Sequence, residues 1–188
     1  MKMIILAAVA AATVASADCS YTKNGDVGVH WTAFKTPMKA GVNGTFRSVV
    51  YKGGDKAASL TALLKGAQVM IQTNNVDSGN SGRDAKLVQF FFNQMDGQIL
   101  EARIVDLDEV SKIVLVEVVM NGKGLNVPMG YTYENGLFKA AGVIDLGDFK
   151  ALDALTSINR ACYDLHQGKT WQDVNIGFSL KIEEQCGK

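Results

Sequence analysis

The sequence predicts an all-β fold, with eight antiparallel strands that each carry one apolar face and with one or two short helices. Val174, Ile176, Phe178, Leu180 and Ile182 alternate without a break against Asn175, Gly177, Ser179, Lys181 and Glu183, which is the two-residue period of a strand with one dry side. The stretch Gln98 to Leu146 is cut by turn residues into four more such strands, and Asn135-Gly136 and Asn121-Gly122 supply the pair that tight hairpins favour. Eight strands are enough for a closed sheet to hold one small ligand and to lose its edges. Periodicity alone leaves a two-sheet sandwich open beside the barrel.

Taken in order, the chain starts with Met1-Lys2, an apolar run from Met3 to Val14 and the small-x-small site Ala15-Ser16-Ala17. This reads as a secretory signal peptide over residues 1–17, cut before Asp18. A lipid anchor on Cys19 is the rival, and the charge of Asp18 directly before that cysteine opposes it. The apolar run is too short to span a bilayer and no later segment approaches the roughly 20 apolar residues required. A soluble mature chain without stable membrane insertion is expected, with residues 18–188 forming one domain.

Strands are expected at Tyr21–Ala33, Gly41–Tyr51, Gly66–Asn74, Gln98–Leu107, Lys112–Asn121, Asn126–Glu134, Leu137–Leu146 and Asp173–Glu184. Trp31 shares the apolar side of the first with Val27 and Val29, so His30 faces the other way. Phe46 shares the face of Val42 and Gly44. Lys52–Ser59 and Val76–Gly82 read as loops, and Asn80 or Ser81 is placed to cap a helix over Arg83–Met95. Leu87, Val88, Phe90, Phe91, Phe92 and Met95 make that helix apolar around most of its girth. Such a helix is either buried by protein on two sides or turned partly toward something that is not protein. Downstream, Asp148 is an N-cap candidate for an amphipathic segment carrying Phe149, Leu152, Leu155, Ile158, Cys162 and Leu165 and ended by Gly168.

Nineteen basic residues face nineteen acidic ones, and losing Lys2 with the leader leaves 18 against 19. The basic residues are scattered, which argues against a nucleic-acid surface. Nucleophile-elbow, phosphate-loop and dinucleotide motifs are missing, His30 and His166 are the only histidines, and carboxylate pairs fall at strand ends. Nothing argues for catalysis or a cofactor. Cys19, Cys162 and Cys186 lack the spacing of a zinc site. In an oxidising compartment one disulfide with one thiol over is the better reading, and pairing of the first strand with the last would join Cys19 to Cys186. Three buried free cysteines remain the alternative.

What the sequence does offer is surplus apolar lining. Trp31, Phe46, Val118, Met129, Tyr131, Phe138 and Phe178, with Phe90 and Phe91 from the helix, are the candidate ligand-binding residues. In a wide barrel they line a cavity; in a collapsed one they fill it.

Val29-His30-Trp31, then Gly41-Val42-Asn43-Gly44-Thr45-Phe46, then Val76-Asp77-Ser78-Gly79 with Arg83-Asp84 and an aromatic helix resemble the YceI-like family. Gly142 to Phe149 and Val174 to Phe178 continue the likeness over nearly the whole mature chain. The start departs from it, with Gly25-Asp26-Val27 where a His-Ser pair often stands. The resemblance implies a lipocalin-like eight-stranded barrel in the periplasm, and it admits a homodimer. It also implies a non-enzymatic carrier that holds a long amphiphile, such as a polyisoprenoid or fatty-acyl chain, in its interior. It places Arg83 and Asp84 at the pocket mouth, where a structural cap and ion pair is favoured over a head-group contact. An enzyme acting on such a lipid and an interaction domain with a filled core are the alternatives.

Overall fold

The computed structural model describes residues 18–187, and the signal-peptide reading of residues 1–17 lies outside them. Eleven strands are present: β1 (Cys19–Lys35), β2 (Ala40–Phe46), β3 (Val50–Lys52), β4 (Lys56–Ala57), β5 (Gln68–Gln72), β6 (Val76–Asp77), β7 (Ile99–Asp108), β8 (Ile113–Met120), β9 (Lys123–Glu134), β10 (Leu137–Asp145) and β11 (Thr170–Cys186). Four short helices join them: α1 (Leu60–Leu64), α2 (Ser81–Phe90), α3 (Leu152–Ala161) and α4 (Tyr163–His166). The strands form one antiparallel sheet in the order β3-β5-β7-β8-β9-β10-β11-β1-β2-β6, with β4 added to β1, and this sheet curls into a half-barrel.

Each expected strand has its counterpart, but Gly41–Tyr51 is two strands rather than one. Its first half, β2, pairs with β1, and its second, β3, pairs with β5 at the far edge of the sheet. Residues 47–49 leave the ladder there because Arg47 donates its backbone N–H to Asn75 O at 2.8 Å and its Nη2 to Asn74 O at 3.2 Å. The two edges, β3 and β6, are not laddered to each other. At the meander, Asn121-Gly122 and Asn135-Gly136 all have positive φ, between 51° and 74°. That is the conformation a type I′ hairpin demands.

Asn80 caps α2, its side chain accepting from the Arg83 N–H at 2.9 Å. The helix ends at Phe90, short of the expected Met95, and a 3₁₀ turn over Phe92–Gln94 follows. Asp148 is not the cap of α3, which starts at Leu152; the Asp148 N–H instead closes a turn onto Asp145 O at 3.2 Å. Gln167 and Gly168, with φ of 52° and 75°, end α4, Gly168 at the stop the sequence predicts.

One end of the half-barrel is packed solid. Phe138 and Ile182 are at most 1 % exposed, and Leu60 and Leu63 of α1, which packs on β1, β4 and β7, belong to the same apolar core. Here the chain termini are joined: Cys19 and Cys186 are cross-strand neighbours with bonded sulfurs, while Cys162 is a buried free thiol.

Candidate functional site

Along β1 the inward line runs Val29, Trp31, Ala33 and ends at Lys35, away from the disulfide. Around this half the interior is not filled. A cavity of about 590 Å³ lies between the sheet and helices α2 to α4, within the size range of small-molecule sites. Its walls are Val116 and Val118 of β8, Val174, Ile176 and Phe178 of β11, Leu87 and Phe91 from α2, and Leu155 and Ile158 of α3. It opens to solvent beside Leu165, which stands on the rim and is 64 % exposed.

Of the nine expected ligand-binding residues, Trp31, Phe46, Phe91, Val118, Met129 and Phe178 line this cavity. Phe90, Tyr131 and Phe138 do not. The helical period decides the first: Arg83, Lys86, Leu87 and Phe91 share the cavity face of α2 at three and four residue spacing, and Phe90 falls outside it. Tyr131 and Phe138 belong to the floor. They stack at 4.8 Å, Phe138 stacks on Phe178 at 5.7 Å, and Phe178 presents the top of that pile to the cavity. Phe92, outside the expected set, lines the wall and is 6 % exposed. Its ring meets Phe91 edge-on at 5.2 Å and Phe46 at 6.4 Å.

Trp31 owes its position to glycine. It is paired with Gly44 across the β1–β2 ladder, and a Cβ on Gly44 would stand 2.1 Å from the indole Cζ2. The indole therefore lies flat on the neighbouring backbone, with Nε1 buried and unpartnered. Gly142 does the same for Met129, whose Cγ would lie 2.9 Å from its Cβ.

Arg83 and Asp84 do not pair with each other as expected. Both grip Ser78: its hydroxyl donates to Asp84 Oδ1 and accepts from Arg83 Nε, while Arg83 Nη2 donates to Ser78 O at 2.8 Å. They fix the loop between β6 and α2, and the Arg83 guanidinium is largely consumed in doing so.

The polar groups at the open end come from four elements, β1, α3, α4 and β11. Lys35 is the cross-strand partner of Thr170, and the Thr170 hydroxyl meets His166 Nδ1 at 2.7 Å and Asn159 Oδ1 at 2.8 Å. The Asn159 amide nitrogen donates to Gly168 O, which fixes its oxygen toward Thr170. Thr170 must then give its single proton to Asn159 and accept from His166, so the ring carries its proton on Nδ1. That polarity is opposite to a base drawing a proton from a hydroxyl nucleophile. Burial, together with the Lys35 and Lys86 ammonium groups, holds the His166 pKa below its ordinary value of 6.5. Elsewhere among the described residues the one close trio of possible metal ligands is Cys19, Glu184 and Cys186. The disulfide already takes its sulfurs.

A curled antiparallel sheet around an apolar cavity, closed at one end and open at the other, defines the class as a β-fold with an internal apolar cavity. Solved structures share this fold. Burkholderia cenocepacia BcnA superimposes with a TM-score of 0.57 at 15 % identity, over 84 % of this chain and 96 % of that one. A polyisoprenoid-binding domain from Saccharophagus degradans, implicated in plant cell wall breakdown, gives 0.57 at 14 % identity over 89 % and 99 %. The Campylobacter jejuni YceI protein gives 0.52 at 18 % over 79 % and 86 %. No protein-family model matches the sequence, and neither does any curated protein. The fold is that of the YceI and polyisoprenoid-binding proteins.

Proposed function

We propose that this chain is a YceI-like periplasmic carrier that holds one long apolar chain, isoprenoid or fatty-acyl, in the open half of its barrel without altering it chemically. The single observation that carries this reading is the cavity of about 590 Å³ with aliphatic and aromatic walls. Each methylene moved from water into such a chamber gains about 0.8 kcal/mol, so a chain needs no strong polar contact to be held. The Tyr131–Phe138–Phe178 stack sets the depth available, and length is therefore the property the chamber selects. The likeness in fold to a polyisoprenoid-binding domain supports the ligand class. Secretion rests on the leader read in residues 1–17. Among the described residues no helix is long and apolar enough to cross a membrane.

Native mass spectrometry of protein purified without detergent tests the proposal. A co-purified hydrophobic mass, exchangeable for an added fatty acid, is expected. Protein that arrives empty and takes up neither fatty acids nor polyprenols would refute it.

A further inference from the structure

The rim of the cavity is not neutral. Lys35 stands at the inward end of β1, Lys86 on the cavity face of α2, and His166 on α4, and all three line the chamber beside Thr170. Lys35 and Lys86 are each half-buried. Among the described residues neither enters an ion pair or a side-chain hydrogen bond, while Lys39, Lys65 and Arg103 each find a carboxylate. Half-buried ammonium groups with no ion-pair partner leave their charge available to an anion that comes to this rim. His166 Nδ1 gives its proton to Thr170, so the neutral ring offers Nε2 as an acceptor only and the two ammonium groups are the donors at this rim.

We infer that the chamber takes a chain ending in an anion, a carboxylate or a phosphate, seated between the Lys35 and Lys86 ammonium groups while its tail fills the apolar interior. This rests on the carrier reading and adds the head-group chemistry to it. Arg83 is not part of the seat, because its Nε and Nη2 already serve Ser78.

The experiment measures binding of palmitate, hexadecyl phosphate and hexadecanol to delipidated protein by displacement of a fluorescent fatty-acid probe. Charge-assisted hydrogen bonds predict that an anionic head group binds about ten to a hundred times more tightly than the alcohol. In the Lys35→Met, Lys86→Met double variant that ratio should fall close to one. Methionine keeps much of the apolar stem, and the two single variants, each expected to lose part of the ratio, carry the test if the double variant loses its fold. The tighter of the two anions names the head-group class. Equal binding of all three probes to the unaltered protein overturns the anionic seat and leaves the carrier reading standing, as does a ratio that survives in the variants. Failure to bind any of them overturns both.

Discussion

Replacing Ala102 with leucine tests whether the chamber is truly empty, because the sign of the stability change depends on it. Ala102 lies on the inward face of β7, paired with Val69 on one side and Val118 on the other, and lines the cavity. If the space beside it is free, leucine buries about three additional carbons without displacing protein. At about 0.8 kcal/mol per carbon, the empty protein gains about 2 kcal/mol of stability. The same carbons then occupy volume that a ligand tail would use, and binding weakens by a comparable amount, on the order of thirtyfold. Urea denaturation of delipidated protein measures the first change, and displacement of a fluorescent fatty-acid probe the second. Stability should rise while affinity falls. A loss of about 1 to 3 kcal/mol would mean overpacking of a closed core and would refute the chamber.

Three further outcomes follow from the same geometry. Phe138→Ala removes the middle of the buried aromatic stack and should cost about 3 to 5 kcal/mol in urea denaturation, a folding defect rather than a selective binding defect. Cys186→Ser opens a cross-link between residues 167 apart in sequence and should cost about 2 to 5 kcal/mol; by calorimetry this is a Tm lower by about 5 to 15 °C, and an unchanged Tm would show the bond idle. His166 has a lowered pKa in the folded state, so the unfolded chain binds its proton more readily; its contribution is present above the ordinary value near 6.5 and lost as pH falls through that value toward the lowered one. Denaturation midpoints compared on either side of that window should show a steeper acid-side loss in the unaltered protein than in His166→Gln.

Much of the architecture is legible because strand alternation and Asn-Gly turns are local signals. Val174 to Ile182 and the turn at Asn135-Gly136 lie where the sequence predicts them. The break within Gly41–Tyr51 is not local. Val50 and Tyr51 continue a β pattern, and only the pull of Asn74 and Asn75 on Arg47 sends them to the other edge of the sheet. The helix α1 did leave a signal: Ser59 caps it by accepting from the Ala62 N–H at 3.0 Å, and Leu60, Leu63 and Leu64 have helical spacing. With five residues it is too short to stand out from the polar loop before it.

The division of the interior into a packed half and an open half is the part that periodicity could not carry. Tyr131, Phe138 and Phe178 are equally inward by alternation, yet only Phe178 faces the chamber, because the register sets Ala140 opposite both Tyr131 and Phe178. That small residue lets the rings above and below it stack. Lys35 was closer to being readable. It is the next alternate position after Val29, Trp31 and Ala33, and ending the strand at Ala33 hid the fact that a lysine terminates the inward line. An apolar row that ends in a charged residue on the same face already separates tail from head along one strand. Thr170 faces Lys35 across the ladder and ties it to His166, and α2 brings Lys86 to the same rim. Along this strand the wall is therefore apolar from Val29 to Ala33 and turns cationic where β1 stops at Lys35.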